Sequence, residues 1–112
     1  MKILYIILLS ILLLSACSRI GLLHQPPRVT SAESAVDVSI HNLIPDSRVT
    51  FSINDVRIYG FHGPGQFDFV LDAGSYLFAY KNGSQKCDAE VELNTGHSYV
   101  FDLKPDCNIE MQ

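Results

Sequence analysis

Four histidines are the residues of this 112-residue chain whose type best suits acid–base or metal chemistry: His24, His41, His62 and His97. A metal site needs two or three such ligands to converge with a carboxylate. His41 and His97 lie on predicted polar strand faces, where a meeting across strands is conceivable. Isolated, solvated histidines are the favoured interpretation, so the sequence predicts no metal site and no cofactor.

Five carboxylates alternate with apolar residues along the predicted strands: Asp68, Asp88, Glu90, Glu92 and Asp102. A carboxylate pair catalyses glycoside hydrolysis in many enzymes. Strand alternation alone, however, already places acids on solvent-facing surfaces. The chain also contains no Gly-x-Ser-x-Gly nucleophile motif. We therefore predict a protein that is not an enzyme.

The amino-terminal segment has the pattern of an export signal. A single positive residue, Lys2, precedes an apolar run at 3–14. The run is about a dozen residues long, which suits a signal-peptide core and is short of the ~20 residues of a membrane span. Arg19 follows soon after the run, which argues against an uncleaved membrane helix. We predict a cleaved signal peptide at 1–16.

The end of this run, Leu14-Ser15-Ala16-Cys17, resembles the lipobox of bacterial lipoproteins. The resemblance implies that the Cys17 thiol is joined to diacylglycerol and that Cys17, once acylated, is the first residue and membrane anchor of the mature protein. Ser18 stands where many lipoproteins retained in the inner membrane carry aspartate. The family's sorting rule then implies an outer-membrane anchor facing the periplasm of a Gram-negative host. An ordinary secretory signal is the alternative, with Ser15-Ala16-Cys17 as a weaker match to its cleavage pattern.

The lipobox also accounts for the odd number of cysteines. With Cys17 lipidated, Cys87 and Cys107 remain as one pair in an oxidising compartment, where disulfides persist. Cys87 and Cys107 are 20 positions apart. A bridge between them stabilises the folded domain by roughly 3 kcal/mol in the chain-entropy model. A zinc site is disfavoured because no second cysteine pair or suitable histidine pair lies nearby.

The charge balance limits the partners. The chain has 12 acidic and 8 basic residues, and loss of Lys2 with the signal leaves 12 against 7. An acidic domain without a basic stripe is a poor nucleic-acid binder. No polybasic segment suits anionic lipid either. The predicted covalent lipid must therefore hold the protein at the membrane.

The remaining chain divides into a tether and one domain. Residues 17–34 are predicted to be a lipidated terminus and flexible tether, because Gln25-Pro26-Pro27-Arg28 favours an extended backbone. From residue 35 the apolar period becomes two, and turn-forming clusters separate the runs. This pattern predicts an all-β domain at 35–112, a small antiparallel β-sandwich. Its strands are expected near 35–42, 48–54, 56–61, 66–71, 75–82, 84–93 and 97–103, with a short eighth near 107–111.

Several segments of this domain resemble PEGA-type surface modules and small sandwiches of the transthyretin and carboxypeptidase-regulatory type. The resemblance rests on four segments: Ile44-Pro45-Asp46-Ser47-Arg48-Val49, Gly60, Leu71-Asp72-Ala73-Gly74-Ser75-Tyr76 and Asn94-Thr95-Gly96. It implies a small β-sandwich and leaves the function open, since one fold serves many functions.

Residues 59–66 have the one unusual loop composition, with two aromatics, a histidine and three glycines. We predict a partner-binding loop here, with Tyr59, Phe61, His62 and Gln66 as its contact residues. The alternative is a bulged crossover between two sheets, which also favours glycine and proline.

These features predict a lipid-anchored, non-enzymatic envelope protein that binds another envelope protein or helps to assemble a complex. The protein is expected to attach to the membrane through the covalent lipid on Cys17 and to bind no nucleic acid. The alternative function is a small inhibitor of an exported hydrolase such as a lysozyme, which would present loop 59–66 to the enzyme.

Overall fold

The computed structural model describes residues 20–112, so the predicted signal peptide at 1–16 and the predicted lipid site Cys17 lie outside the described residues. Nine strands and one short 3₁₀ helix occur in the described part: β1 (Gly21–Leu22), the 3₁₀ helix (Ala32–Ser34), β2 (Ala35–Asn42), β3 (Arg48–Ile53), β4 (Val56–His62), β5 (Gly65–Asp72), β6 (Gly74–Asn82), β7 (Gln85–Leu93), β8 (Ser98–Lys104) and β9 (Asn108–Met111). Within 20–112, no helix is long and apolar enough to cross a membrane.

The strands form two sheets. The first sheet has the order β1-β4-β3-β6-β7 and the second has the order β5-β2-β8-β9. All neighbouring strands are antiparallel except β2 and β8, which run parallel from the Asp37–Ser98 pair to the Asn42–Leu103 pair. The predicted all-β sandwich is confirmed. The sequence did not predict the parallel pair within the expected antiparallel arrangement. Side chains alternate in the same way in both orientations, so the pattern cannot distinguish them.

The core lies between the two sheets and is rich in aromatic rings. Phe78 is fully buried, and its ring centroid lies 5.2 Å from those of both Phe51 and Phe101. Both pairs are edge-to-face, the geometry that the charge distribution of aromatic rings favours. The alternating apolar residues of the strands therefore meet across the sandwich as the period-two pattern requires.

Cys87 and Cys107 form the predicted disulfide, with their Cα atoms 5.2 Å apart. Cys87 lies on β7, the edge of the first sheet, and Cys107 precedes β9, the edge of the second sheet. The Tyr80 hydroxyl also donates a hydrogen bond across the sandwich to the carbonyl oxygen of Lys104. Covalent and polar links therefore close this side of the sandwich.

The opposite side is closed by the segment predicted to be a flexible tether. Gly21 and Leu22 pair with Gly60 and Tyr59 of β4, which adds a strand to the seven or eight predicted. Further along, the Thr30 amide donates to the Asp72 carboxylate at 3.0 Å. From residue 20 onward this segment is therefore bound to the sandwich and is not a free spacer, because its backbone finds partners at the β4 edge and at the end of β5.

The connections lie at two opposite ends of the strands. We call one the crossover end; it carries the connections at 43–47, 63–64, 83–84 and 105–107. The other is the hairpin end, with the connections at 54–55, 73 and 94–97. Asn54 and Asp55 both have positive φ, as a type I′ hairpin requires. At the crossover end, Asn82 pairs with Gln85, so Gly83 begins the tight turn with φ of 62°.

Candidate functional site

The predicted loop at 59–66 is the crossover between the two sheets. Strand β4 continues to His62 and β5 begins at Gly65, so only residues 63 and 64 lie outside strands. Phe61 is buried in the core with 4% of its surface exposed. The Tyr59 ring stacks on Phe67 at 4.3 Å between centroids. Phe61 is thus not available as a contact residue, and the aromatic character of this segment serves the core.

A buried asparagine holds the crossover in place. Asn42 is 1% exposed, and its side-chain amide donates to the Gly63 carbonyl oxygen at 2.8 Å. The same amide group exchanges longer contacts of 3.4 Å with the backbone of Ile44. Within 20–112, no buried side-chain nitrogen or oxygen atom lacks a hydrogen-bond partner. Asn42 was not singled out from the sequence, where it ends an alternating run like any polar residue.

The other two predicted contact residues are exposed and lie on different surfaces. His62 pairs with Arg48 on the outer face of the first sheet. Gln66 pairs with His41 on the outer face of the second sheet, where its side-chain amide donates to Asp68 at 2.9 Å. The four predicted contact residues therefore do not form one binding surface.

A broader polar surface surrounds Gln66. We call it the acidic face; it is the outer side of β5, β2 and β8, made by Asp37, Ser39, His41, Gln66, Asp68, Val70, Ser98, Val100 and Asp102. The neighbouring strands enclose a shallow depression of about 550 Å³ here. Val70, with 40% of its surface exposed, supplies an apolar contact amid the carboxylates. The face thus combines carboxylates with an accessible apolar residue on its edge strand.

Neutral donors bind two carboxylates of the acidic face. The Ser39 hydroxyl donates to Asp68 at 2.5 Å, and this bond, followed by that from Gln66, holds the pKa of Asp68 below its usual range. The Gln112 amide donates to Asp102 at 2.8 Å. His41 Nδ1 lies 3.8 Å from Asp102 Oδ1. Three carboxylates against one histidine therefore make the residues of this face acidic in composition.

The histidines are not brought together. His41 pairs with Asp102, whereas His97 directly precedes Ser98, the partner of Asp37 at the other end of β2. His24 contacts the Arg57 carbonyl oxygen at 3.1 Å on the far sheet. Within residues 20–112, no group of three or more histidine, cysteine or acidic side chains is arranged to hold a metal ion.

The outer face of the first sheet gathers basic residues that are scattered in the sequence. Arg48 and Arg57 lie on adjacent strands, and Lys81 and Lys86 face each other across the β6–β7 pair. Three of them line a groove of about 340 Å³ whose floor includes Thr50 and Ser52. The sequence contains no run of basic residues, so it did not predict this cluster. Only strand pairing brings the basic residues together.

Comparisons with known proteins give a fold and no family. No family model matches the chain, and no curated protein matches it. Among solved structures, the chain is similar to the N-terminal domain of AlgF from P. aeruginosa, with a TM-score of 0.57 and 19% sequence identity. The match covers 74% of this chain and 96% of that domain. The similarity supports the β-sandwich fold alone.

Proposed function

We propose that this chain is a non-enzymatic lipoprotein of the bacterial envelope that binds another envelope protein through its acidic face. The carrying observation is the exposed side chain of Val70 beside Asp37 and Asp68, on a sheet face that also carries Asp102. A sheet face needs no rearrangement to bind, so little conformational entropy is lost on association. The expected partner presents cationic side chains around an apolar contact, since complementary charge fixes register and speeds encounter.

Anchoring at the membrane is the other half of the proposal. It rests on the signal pattern and on the lipobox resemblance of Leu14-Ser15-Ala16-Cys17. Replacement Cys17→Ser is expected to abolish incorporation of labelled fatty acid and to slow removal of the signal. Continued labelling of the variant would contradict the anchor at Cys17.

The alternative role as an inhibitor of an exported hydrolase has less support. Inhibition of a hydrolase cleft calls for a segment that protrudes into it. Residues 59–66 are mostly strand, and Phe61 belongs to the core. The binding or assembly role is therefore the one that we carry forward.

Site-specific photo-crosslinking in living cells tests the acidic face. The full chain carries a photoreactive amino acid at Val70 or, as the control, at Val56, which is similarly exposed at the hairpin end. We expect one discrete adduct from position 70 and none from position 56. Charge reversal Asp37→Lys should remove the adduct, whereas Glu90→Lys on the other sheet should not. Equal adducts from both positions, or none from position 70, would refute the proposed surface.

A further inference from the structure

We propose that the crossover end of the sandwich lies against the phospholipid bilayer, with Leu43 at the level of the lipid headgroups. This inference rests on the proposed lipidation of Cys17 and adds which surface meets the membrane. It places the strands roughly along the membrane normal, so that both sheet faces point sideways and the acidic face stays open to a partner.

The direction of β1 provides the first argument. Gly21 pairs with Gly60 and Leu22 with Tyr59, so β1 runs antiparallel to β4. Toward the N-terminus, the chain therefore leaves β1 in the direction in which β4 approaches His62 and the crossover end. We therefore infer that the segment with the predicted anchor joins the sandwich from this end.

The length of chain before β1 provides the second argument. Four peptide units separate Cys17 from Gly21, and whatever their conformation they span at most about 14 Å. From Gly60, strand β4 advances about 7 Å to its last residue, His62, and the 63–64 turn lies beyond it. The turns of the crossover end therefore reach nearly the depth of the anchoring cysteine. Because β1 is paired with β4, the short link cannot hold these turns far from the membrane surface.

Several exposed residues at this end suit the bilayer surface, and Asp46 and Asp106 are exposed there as well. Leu43 is an exposed apolar residue with 46% of its surface accessible, and Ile20 beside β1 has 51%. Arg48 and His62 are exposed nearby and can approach lipid phosphates. The affinity comes from the lipid chains, and these side chains orient the domain.

Val56 provides a matched position at the opposite end. It is 47% exposed, against 46% for Leu43, and it begins β4 at the hairpin end. The six residue steps of β4 place it about 20 Å farther from the crossover end. The two positions thus differ in expected distance from the membrane and hardly in exposure.

Lipid-dependent fluorescence quenching tests the orientation. The full chain is exported with Leu43→Cys or Val56→Cys, purified with its lipid and placed in phosphatidylcholine and phosphatidylglycerol vesicles. The introduced thiol is labelled with an environment-sensitive dye, and a nitroxide quencher is placed near the lipid headgroup. We expect quenching at position 43 to exceed that at position 56 several-fold. Equal quenching, or stronger quenching at position 56, would overturn the orientation.

A spacer variant separates short tethering from other causes. Ten glycine and serine residues inserted between Ser18 and Arg19 should reduce quenching at position 43 to the level at position 56. Undiminished quenching would show that the short link does not set the orientation. The mass of the N-terminal peptide is measured in every sample. An unacylated Cys17 would refute the proposed anchor itself, whereas an acylated Cys17 without quenching at position 43 would refute only the orientation.

Discussion

The side-chain amide of Asn42, at the end of β2, donates a 2.8 Å hydrogen bond to the carbonyl oxygen of Gly63 in the crossover between the sheets. Both residues are buried, so this carbonyl group has little water to bind in exchange. Leaving a buried acceptor unpaired costs more than a hydrogen bond contributes on average. The Asn42–Gly63 contact therefore fixes the path of the chain between the two sheets.

Replacement Asn42→Ala should lower the free energy of unfolding by about 1–3 kcal/mol, because it leaves the Gly63 carbonyl unpaired. Urea denaturation followed by circular dichroism measures the change. The control is Ser47→Ala in the same region, which removes a surface contact of 3.3 Å to the Pro45 carbonyl. Its effect should stay within about 0.5 kcal/mol. Equal effects of the two variants would contradict the role assigned to Asn42.

Loss of the disulfide should destabilise the domain. The double variant Cys87→Ala with Cys107→Ala should lose about 2–5 kcal/mol in the free energy of unfolding. Reductant should lower the Tm of the unaltered protein and leave that of the double variant unchanged. A reductant effect of the same size in both proteins would show that the bridge at 87 and 107 is not its target.

Asp72 should hold the N-terminal segment on the sandwich. Its carboxylate accepts from the Thr30 amide at 3.0 Å and from the Ser34 hydroxyl at 2.6 Å. Replacement Asp72→Asn should speed hydrogen exchange at the Thr30 amide at least several-fold, since the charge-assisted acceptor is lost. Asp88→Asn on β7 is the control. Unchanged exchange at Thr30 in the Asp72 variant would mean that the segment is held without this contact.

The hydrogen bonds at Asp68 predict a specific response to acid. Its pKa is lowered chiefly by the Ser39 hydroxyl and next by Gln66. Ser39→Ala should therefore raise the titration midpoint of the Asp68 carboxyl carbon, measured by NMR, more than Gln66→Ala does. Ser98→Ala on the same face should not change it. A larger effect of Gln66→Ala would reverse the ranking of the two donors.

The same lowered pKa sets the sign of a stability change. A carboxyl group whose folded-state pKa lies below the usual ~3.9 adds stability that is present above that value. This stability is lost as the pH falls through the folded-state pKa. Asp72 behaves alike, since the Ser34 hydroxyl and then the Thr30 amide lower its pKa. Acid denaturation midpoints of Ser39→Ala should lie above that of the unaltered protein, and a lower midpoint would contradict this assignment.

The alternation of apolar residues predicted β2 to β9 closely, because each strand buries one face and exposes the other. It did not predict β1, since a strand of two residues is too short to show a period. The sequence predicted Phe61 both at the end of strand 56–61 and in the binding loop at 59–66, because neighbouring glycines suggest a loop. In the fold, however, β4 runs on to His62, and Phe61 pairs with Val49. Composition marked the segment as special without saying whether it faces the core or the solvent.

Strand pairing also determines which charged residues become neighbours, as the acidic face and the basic cluster on the first sheet show. Asp68 and Asp102 were predicted to point outward, and they do so on the same sheet face. Their neighbours across the strands depend on strand order. Strand β2 lies between β5 and β8, and its pairing with β8 is parallel. Local pattern contains no information on that order.

The parallel pairing of β2 with β8 also bears on how fast the domain folds. Strand β2 is among the first of the domain along the chain and β8 among the last, so their pairing closes a loop of most of the domain. Chain entropy must be lost before this contact forms, and sheets dominated by such pairings fold in milliseconds to seconds, roughly a thousand times slower than helical bundles. Until β8 arrives, one edge of β2 remains unpaired, and during that interval the nascent chain is most exposed to association with other strands.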